Sequence, residues 1–386
     1  MTSNDLESYL LQLKAKFPTI IIEKYDSTYV ILKEKAGPRI LYIEPTLNCN
    51  LNCIMCFRRS VKEPFGSMKK ELFEKIIDDA KKCGVKFIWF GGWGEPLTHP
   101  EIFEFIALAR DANIDVGINT NGTLLTPEIA EKLLELEVET IVVSSDAATH
   151  ETYARIRGTK YSRILEALKT IQKAKEKHGM TRPKVSFLFT AMANNVSELI
   201  DLPKIAREYG VSQIIVSNVI PVYPEMEKMV VYNGRLSDNE IRELASKLAL
   251  ETYQTGVRLI LPNFKLRTER RCLFIENNTA TITWDGKVVP CYNFIHTYKS
   301  YIFGLEKVVK QISFGDISKE SLREIWLKPE YVKFRHKVKR FEFPSCPDCP
   351  LREYCSLRKT NEMDCWGNKP SCAECLYGRE IVQCMV

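Results

Sequence analysis

The stretch from Glu44 to Arg58, EPTLNCNLNCIMCFR, constrains this 386-residue chain most, because it sets Cys49, Cys53 and Cys56 in a Cys-x3-Cys-x2-Cys spacing just after the apolar run Ile40 to Ile43. Three thiolates within eight residues, on a loop leaving a strand, can converge on one iron-sulfur cubane, where cysteine sulfur is the ordinary ligand. Three ligands leave one iron of a four-iron cluster open, and an open position is what separates catalytic metal sites from closed structural ones. Two plainer readings compete: a structural zinc site short of its fourth ligand, and three unrelated buried cysteines. Zinc sites usually show four ligands in paired spacing, which this stretch lacks.

From Arg39 onward the chain alternates strand and helix. Strands are expected at 39–44, 86–91, 114–119, 138–145, 184–191 and 212–219, and helices at 69–82, 100–112, 127–136, 161–178 and 195–209, with Thr126-Pro127 as N-cap and first helical residue. Six such units with right-handed crossovers imply an α/β fold, a parallel sheet covered by helices, either doubly wound or curled into a barrel. Ahead of them, a helical period at 4–16 and the strand-like TIIIEK (19–24) and TYVILKEK (28–35) make residues 1–36 a helix-hairpin cap. After them, residues 221–236 read as a loop at the substrate opening and Asp238 to Tyr253 as a helix. The expected division is therefore 1–36 cap, 37–262 α/β unit and 263–386 cysteine-rich extension.

In a parallel barrel, function gathers at the C-terminal ends of the strands. The unusual residues fall there. After the second strand comes GGWGEP, in which Gly92 and Gly94 let backbone approach a ligand and Glu95 adds a carboxylate. After the third comes the polar turn Asn119-Thr120-Asn121-Gly122-Thr123; after the fourth, Ser144-Ser145-Asp146 leads to Tyr153 and Arg155-Ile156-Arg157-Gly158. Asn194, Asn195 and Asn218 are candidate neighbours on the same rim, although Asn195 also fits a helix N-cap. Taken singly, each has a plain reading: a turn, a cap at Asp146, surface pairing of Arg157.

Together with the cysteine spacing these motifs resemble the radical S-adenosylmethionine (AdoMet) enzymes, with Met55 where that family usually has an aromatic or other bulky residue. The resemblance implies a partial (β/α)6 TIM-like barrel and a [4Fe-4S] cluster on Cys49, Cys53 and Cys56 whose open iron is bound by the amino and carboxylate groups of AdoMet. One electron then splits a carbon-sulfur bond, and the 5′-deoxyadenosyl radical takes hydrogen from substrate. By the same resemblance Gly92, Gly94 and Glu95 hold the methionine amino group. Asn119 and Asn121 lie near the ribose and methionine moiety, and Ser144 and Arg157 are candidates for ribose-hydroxyl and carboxylate contacts.

The last 115 residues hold nine of the thirteen cysteines. Cys272 is followed by TITWDGKVVPCYN, where Asp285-Gly286 is a hairpin turn and Cys291 ends the motif; then come Cys346-x2-Cys349-x5-Cys355, Cys365, Cys372-x2-Cys375 and Cys384. Nine sulfurs suffice for two further four-iron clusters with one thiol over, although Cys-x2-Cys pairs also make zinc ribbons. The pattern resembles the SPASM extension of radical AdoMet enzymes, and Ser321 to Arg335 resembles the helix joining its halves. In that family the first auxiliary cluster takes the early pair plus a late cysteine, and the second takes the Cys-x2-Cys-x5-Cys group plus a later one. The family's usual Cys-x3-Cys step is missing here, since nine residues separate Cys355 from Cys365, so the closing ligands stay open among Cys365, Cys372, Cys375 and Cys384.

Composition narrows the class. Hydrophobic residues at 45% and charged residues at 27% fit a soluble protein, no apolar run approaches the roughly 18 residues of a membrane span, and the N-terminus lacks a secretory h-region. An odd cysteine count in a long chain points to metal clusters in a reducing compartment, hence the cytoplasm, rather than to disulfides. The net charge of +6 is dispersed, so nucleic acid is not indicated. Cys83 reads as a small buried hydrophobe, His99 as a loop residue, and Lys333 to Arg340 as a solvated basic helix face or a dock for an acidic partner. The pair FGGWGEPLTHP and DCWGNKPSCAECLYGREIVQC resembles the radical AdoMet maturases associated with tungsten-pterin aldehyde oxidoreductases. That implies a protein, peptide or bulky cofactor as substrate and a low-potential electron donor such as ferredoxin. A peptide maturase forming thioether or carbon-carbon links, and a noncatalytic iron-sulfur scaffold or electron carrier, are the alternatives.

Overall fold

A computed structural model describes residues 3–17, 20–25, 28–33, 35–232 and 234–384. Helix α1 (Ser3–Lys16) precedes the antiparallel hairpin β1 (Ile20–Tyr25) and β2 (Thr28–Lys33), close to the expected cap; the turn expected at Asp26 and Ser27 lies outside the described residues. The spine of the fold is β3 (Ile40–Ile43), β4 (Phe87–Phe90), β5 (Asp115–Thr120), β6 (Thr140–Ser144), β7 (Lys184–Ala191) and β8 (Gln213–Asn218), paired in chain order and all parallel. Runs such as ILYI and FIWF suit strands covered on both faces, where alternation with polar residues is not needed.

Crossover helices α2 (Lys70–Cys83), α3 (Ile102–Asp111), α4 (Pro127–Glu135), α5 (His150–Arg157), α6 (Ser162–His178) and α7 (Leu202–Glu208) cover the sheet. In α2 the residues Phe73, Ile76, Ile77 and Ala80 recur at helical spacing and are buried, each large side chain contributing roughly 1.5–3 kcal/mol. The Phe73 ring stacks on Phe105 of α3 at 4.2 Å. Thr126 caps α4 by accepting the Ile129 N–H, with Pro127 in the first turn, as its sequence predicts. Helix α5 was not expected. It is only eight residues long, too short for a periodic signal, and it carries Arg157.

The sheet does not end with the sixth unit. Helix α8 (Asp238–Thr255) leads to β9 (Arg258–Ile260), which pairs with β8 at one edge. Beyond the short α9 (Leu273–Glu276), β10 (Thr279–Ile282) lies parallel to β3 at the other edge and continues through β11 (Lys287–Val289), while the hairpin β12 (Tyr298–Ile302) and β13 (Leu305–Val309) stands apart. With β14 (Gly315–Asp316) the order is β14-β11-β10-β3-β4-β5-β6-β7-β8-β9. One hydrogen-bonded sheet therefore crosses the boundary expected at 262.

The helix expected over 321–335 is two. Ser321 and Glu324 form a capping box on α10 (Leu322–Trp326), and Pro329 opens α11 (Pro329–Arg340). Nor is the basic run merely a solvated face: Arg335 is buried, its guanidinium 3.7 Å from the Trp326 ring centre.

Candidate active site

The ends of β3 to β8 put their following residues on one rim, and the cysteine loop after β3 is fastened there from several sides. Arg58 reaches into the loop, donating from Nε to Leu47 O (2.9 Å) and from Nη1 to Leu51 O (3.1 Å). Ile54 N–H donates to Ile156 O of α5 (3.0 Å), and the Tyr223 hydroxyl donates to Ile54 O. The GGWGEP loop locks on through Glu95 N–H to Asn48 O (2.8 Å) and Trp93 N–H to the buried Glu44 carboxylate (3.0 Å). Its glycines serve this contact. A Cβ at Gly94 would fall 2.1 Å from Thr46 O, and one at Gly92, whose φ is +119°, would fall 2.5 Å from Glu44 Cγ.

Cys49, Cys53 and Cys56 open into a cavity of about 220 Å³ that is open to solvent at its mouth. Gly92, Gly94, Glu95, Asn119, Asn121, Ser144 and Arg157 line that same cavity, so these seven residues meet the three cysteines there. Glu95 is buried and occupied: its oxygens accept from the Thr120 hydroxyl (2.7 Å), Asn121 N–H (2.6 Å) and Leu97 N–H (3.2 Å), and burial still raises its pKa. Arg157 Nε donates to Asp146 Oδ2 (2.5 Å), while Asp146 Oδ1 accepts Thr190 N–H (2.7 Å), a buried pair in place of the plain alternatives of a cap at Asp146 and a surface ion pair at Arg157. The Arg157 Nη1 then lies 3.7 Å from Cys53 Sγ.

The donor set fits an iron-sulfur centre. Cys49 Sγ accepts from Leu51 N–H (3.4 Å) and Asn121 Nδ2 (3.8 Å), so the sulfurs face N–H donors of the kind that tune such clusters. Burial pushes the Cys49 and Cys56 thiols above their ordinary range, a penalty that a bound cation removes by taking the thiolate. Among the described residues no three His, Cys, Asp or Glu side chains converge tightly enough to hold a single ion. Two buried acceptors on the cavity wall, Asn119 Oδ1 and Asn218 Oδ1, have no partner among the described residues, although Asn119 Nδ2 donates to the Tyr42 hydroxyl (2.9 Å) and Asn218 Nδ2 to Ile381 O (2.9 Å). Both ask for a donor on a bound molecule.

The tail forms the far wall. Tyr292, Tyr377, Gln383 and Cys384 line the cavity, and the Tyr292 hydroxyl donates to Gly92 O (3.4 Å). Phe57 stacks on Trp93 at 4.9 Å, with Tyr298 edge-on to both. Beside them His296 bridges two carboxylates, Nε2 to Glu44 (2.8 Å) and Nδ1 to Glu63 (3.1 Å). Burial opposes its charge, but the two hydrogen bonds outweigh this and raise its pKa to about 9.

The nine tail cysteines sort into two basins. Cys272, Cys291, Cys372, Cys375 and Cys384 are electrostatic neighbours; burial raises all five thiols, and the neighbouring sulfurs add to it at Cys272, Cys291, Cys372 and Cys384. Cys346 neighbours Cys355 and Cys365, and the Cys349 N–H donates to Cys346 O (3.2 Å). None of the thirteen cysteines is in a disulfide; Cys83 stands apart, packed against Gly37.

Some expectations do not meet at the site. Asn194 is exposed, and Asn195, although it stands at the N-cap of the short 3-10 helix Val196–Ile200, makes no side-chain cap bond and does not line the cavity; it is a buried tie, Nδ2 donating to Asp146 O (2.8 Å) and Thr190 O (2.9 Å). His99 is buried against Met68 O (2.8 Å) with its pKa lowered by burial. Sequence reasoning missed Arg58, Tyr42 and the Glu44–His296–Glu63 bridge. Arg58 adjoins the cysteine motif and was within reach of local reading; His296 lies 252 positions from Glu44 and carried no such signal.

Comparisons agree with this geometry. Residues 43–183 match the radical SAM superfamily, and residues 272–350 match SPASM, an iron-sulfur cluster-binding domain. The chain is 40% identical over 350 residues to the tungsten-containing aldehyde ferredoxin oxidoreductase cofactor-modifying protein of Pyrococcus furiosus, covering 90% of this chain and 97% of that one. It is 33% identical over 188 residues to the AdoMet-dependent heme synthase of Methanosarcina barkeri, 48% of this chain and 52% of that one. Among solved structures, Streptococcus suis SuiB bound to S-adenosylmethionine superposes with a TM-score of 0.61 at 17% identity, over 92% of this chain and 79% of that one, a likeness of fold. The cavity, its three cysteines and the tail that closes its far side thus have one owner: the chain is a radical SAM enzyme with a SPASM iron-sulfur domain.

Proposed function

We propose that the chain is a maturase acting on a tungsten-dependent oxidoreductase or on its tungstopterin cofactor. The observation that carries this is the 40% identity with the Pyrococcus furiosus cofactor-modifying protein over nearly that protein's whole length. When bound, the [4Fe-4S] cluster and AdoMet supply a 5′-deoxyadenosyl radical for hydrogen abstraction. Cys49, Cys53 and Cys56 hold that cluster. The Gly92–Gly94 backbone, buttressed by Glu95, receives the amino end of AdoMet, Asn119 offers its unpartnered oxygen, and Asn121, Ser144 and Arg157 fix the ribose and carboxylate. Arg157 is oriented by Asp146, and the aromatic wall of Phe57, Trp93 and Tyr292 keeps water from the reacting atoms.

In the tail, Cys346, Cys349, Cys355 and Cys365 hold the second auxiliary cluster, and the first basin offers five thiols for the other. A low-potential carrier of the ferredoxin class, in a reducing cytoplasm, supplies electrons; no described helix is long and apolar enough to cross a membrane. The domain division at 36 and 262 is retained as a functional one. Under dithionite, anaerobically reconstituted protein is expected to convert AdoMet to methionine and 5′-deoxyadenosine, faster with a tungsten oxidoreductase present. Unchanged AdoMet would leave the noncatalytic scaffold. A second reading, a peptide maturase, draws on the fold shared with SuiB, solved bound to its precursor peptide SuiA; stimulation by a Cys-bearing peptide and not by the tungsten enzyme would favour it.

A further inference from the structure

The first auxiliary basin has one thiol too many. Cys272, Cys291, Cys372, Cys375 and Cys384 offer five sulfurs where a four-iron cluster has four corners. Cys372 and Cys384, on either side of Cys375 in the sequence, differ in what they face. Cys372 has the buried Lys307 among its neighbours, whereas Cys384, alone among the nine tail cysteines, lines the cavity that holds Cys49, Cys53 and Cys56.

The segment bearing Cys384 is fastened in that position. Asn263 N–H donates to Glu380 O (2.7 Å), Asn218 Nδ2 to Ile381 O (2.9 Å) and Gln383 N–H to Ser217 Oγ (3.1 Å), while Gln383 Nε2 reaches Leu261 O (3.2 Å). Asn218 adds an independent sign of a ligand. It is 2% exposed, it lines the same cavity, and its Oδ1 has no partner among the described residues although its Nδ2 is committed to the tail. A buried acceptor held this way calls for an N–H or O–H donor on a molecule lying between the β8 end and Cys384.

We propose that Cys384 is not an auxiliary-cluster ligand but the thiol that returns a hydrogen atom to the substrate radical, with Asn218 Oδ1 accepting a hydrogen bond from that substrate. The substrate carbon radical takes the hydrogen of the Cys384 S–H bond, forming a C–H bond and leaving a sulfur-centred radical. One electron from the low-potential carrier and one proton from water restore the thiol. The wall residue is thus paid back each turnover, and the substrate leaves without net oxidation at the carbon attacked.

The inference rests on the radical chemistry proposed above, and its test separates the two. Wild type, C384A, C384S, C372A and Y377F would be reconstituted anaerobically, their iron counted, and each incubated with AdoMet and dithionite in D2O without substrate. C384A and C384S are expected to hold as much iron as wild type, and C372A about four irons fewer per chain. The exchanged thiol should place deuterium in the 5′-deoxyadenosine made by wild type and by Y377F, whose lost phenol also lines the cavity. That label should fall to background in C384A and C384S. Iron lost from both Cys384 variants but kept in C372A would overturn the proposal, as would label undiminished in C384A or lost in Y377F instead. No 5′-deoxyadenosine from wild type would sink the parent reading.

Discussion

The two cysteine-bearing regions are built on opposite plans. The barrel site draws its three sulfurs from one eight-residue stretch, Cys49 to Cys56, and surrounds them with clamps: Arg58, Ile156, Tyr223 and the glycine loop. The first tail basin gathers five sulfurs from segments more than a hundred residues apart, Cys272 to Cys384, and holds them mostly by strands and the Asn218 and Asn263 ties. A local motif fixes its own ligand spacing, and the surrounding fold only has to orient it. A dispersed basin exists only once the chain has folded, so its metal and its tertiary structure depend on one another.

That contrast can be broken most sharply with single cysteines. C53A is expected to abolish 5′-deoxyadenosine formation and remove about four irons per chain while leaving the melting temperature near wild type. C291A should also lose about four irons but unfold several degrees lower, because its basin ties distant segments together. Equal thermal shifts in calorimetry would erase the distinction.

The glycine loop gives the next largest effect. In G94A the new Cβ has backbone oxygen, not a flexible side chain, at 2.1 Å, so the cysteine loop must move. Overpacking of this kind costs about 1–3 kcal/mol, and an ångström of displacement at the site lowers turnover by roughly a hundredfold. AdoMet affinity by calorimetry and 5′-deoxyadenosine rate should fall together. A binding loss with normal stability would mean the glycine serves ligand rather than loop.

The smallest effect concerns the His296 bridge between tail and barrel. Its pKa of about 9 in the folded chain exceeds the unfolded value of about 6.5, so its contribution is fully present below pH 6.5 and is lost as pH rises through 9. The difference corresponds to on the order of 3.5 kcal/mol at most. The melting temperature of wild type should therefore decline between pH 7 and 9.5 more steeply than that of H296Q. Parallel curves would show that the imidazole is not charged in the bridge.

Much of this was legible in the sequence where the signal is local or periodic. The six parallel strands fall within two residues of expectation because continuous apolar runs bounded by polar turns have few other uses, and the cavity residues follow because the ends of parallel strands share a rim. What escaped was nonlocal or short. Helix α5 has too few residues for a period; Glu44 looked like an ordinary polar residue after a strand until His296 was beside it. The glycines of GGWGEP were expected to admit a ligand, and the atoms they approach are the chain's own, which residue type alone does not distinguish. Arg335 sat in a run whose charge said solvent, yet the aromatic pair Trp326 and Tyr331 takes it inside.

The parallel seam of Thr279–Ile282 against Ile40–Ile43 has a practical corollary. Genetic trimming after residue 262 would not release an independent catalytic half; it would strip the backbone partners from the strand that feeds the Cys49 loop, baring an apolar border ready to recruit other copies. Any ancestor that worked without the tail needed some other neighbour on that side.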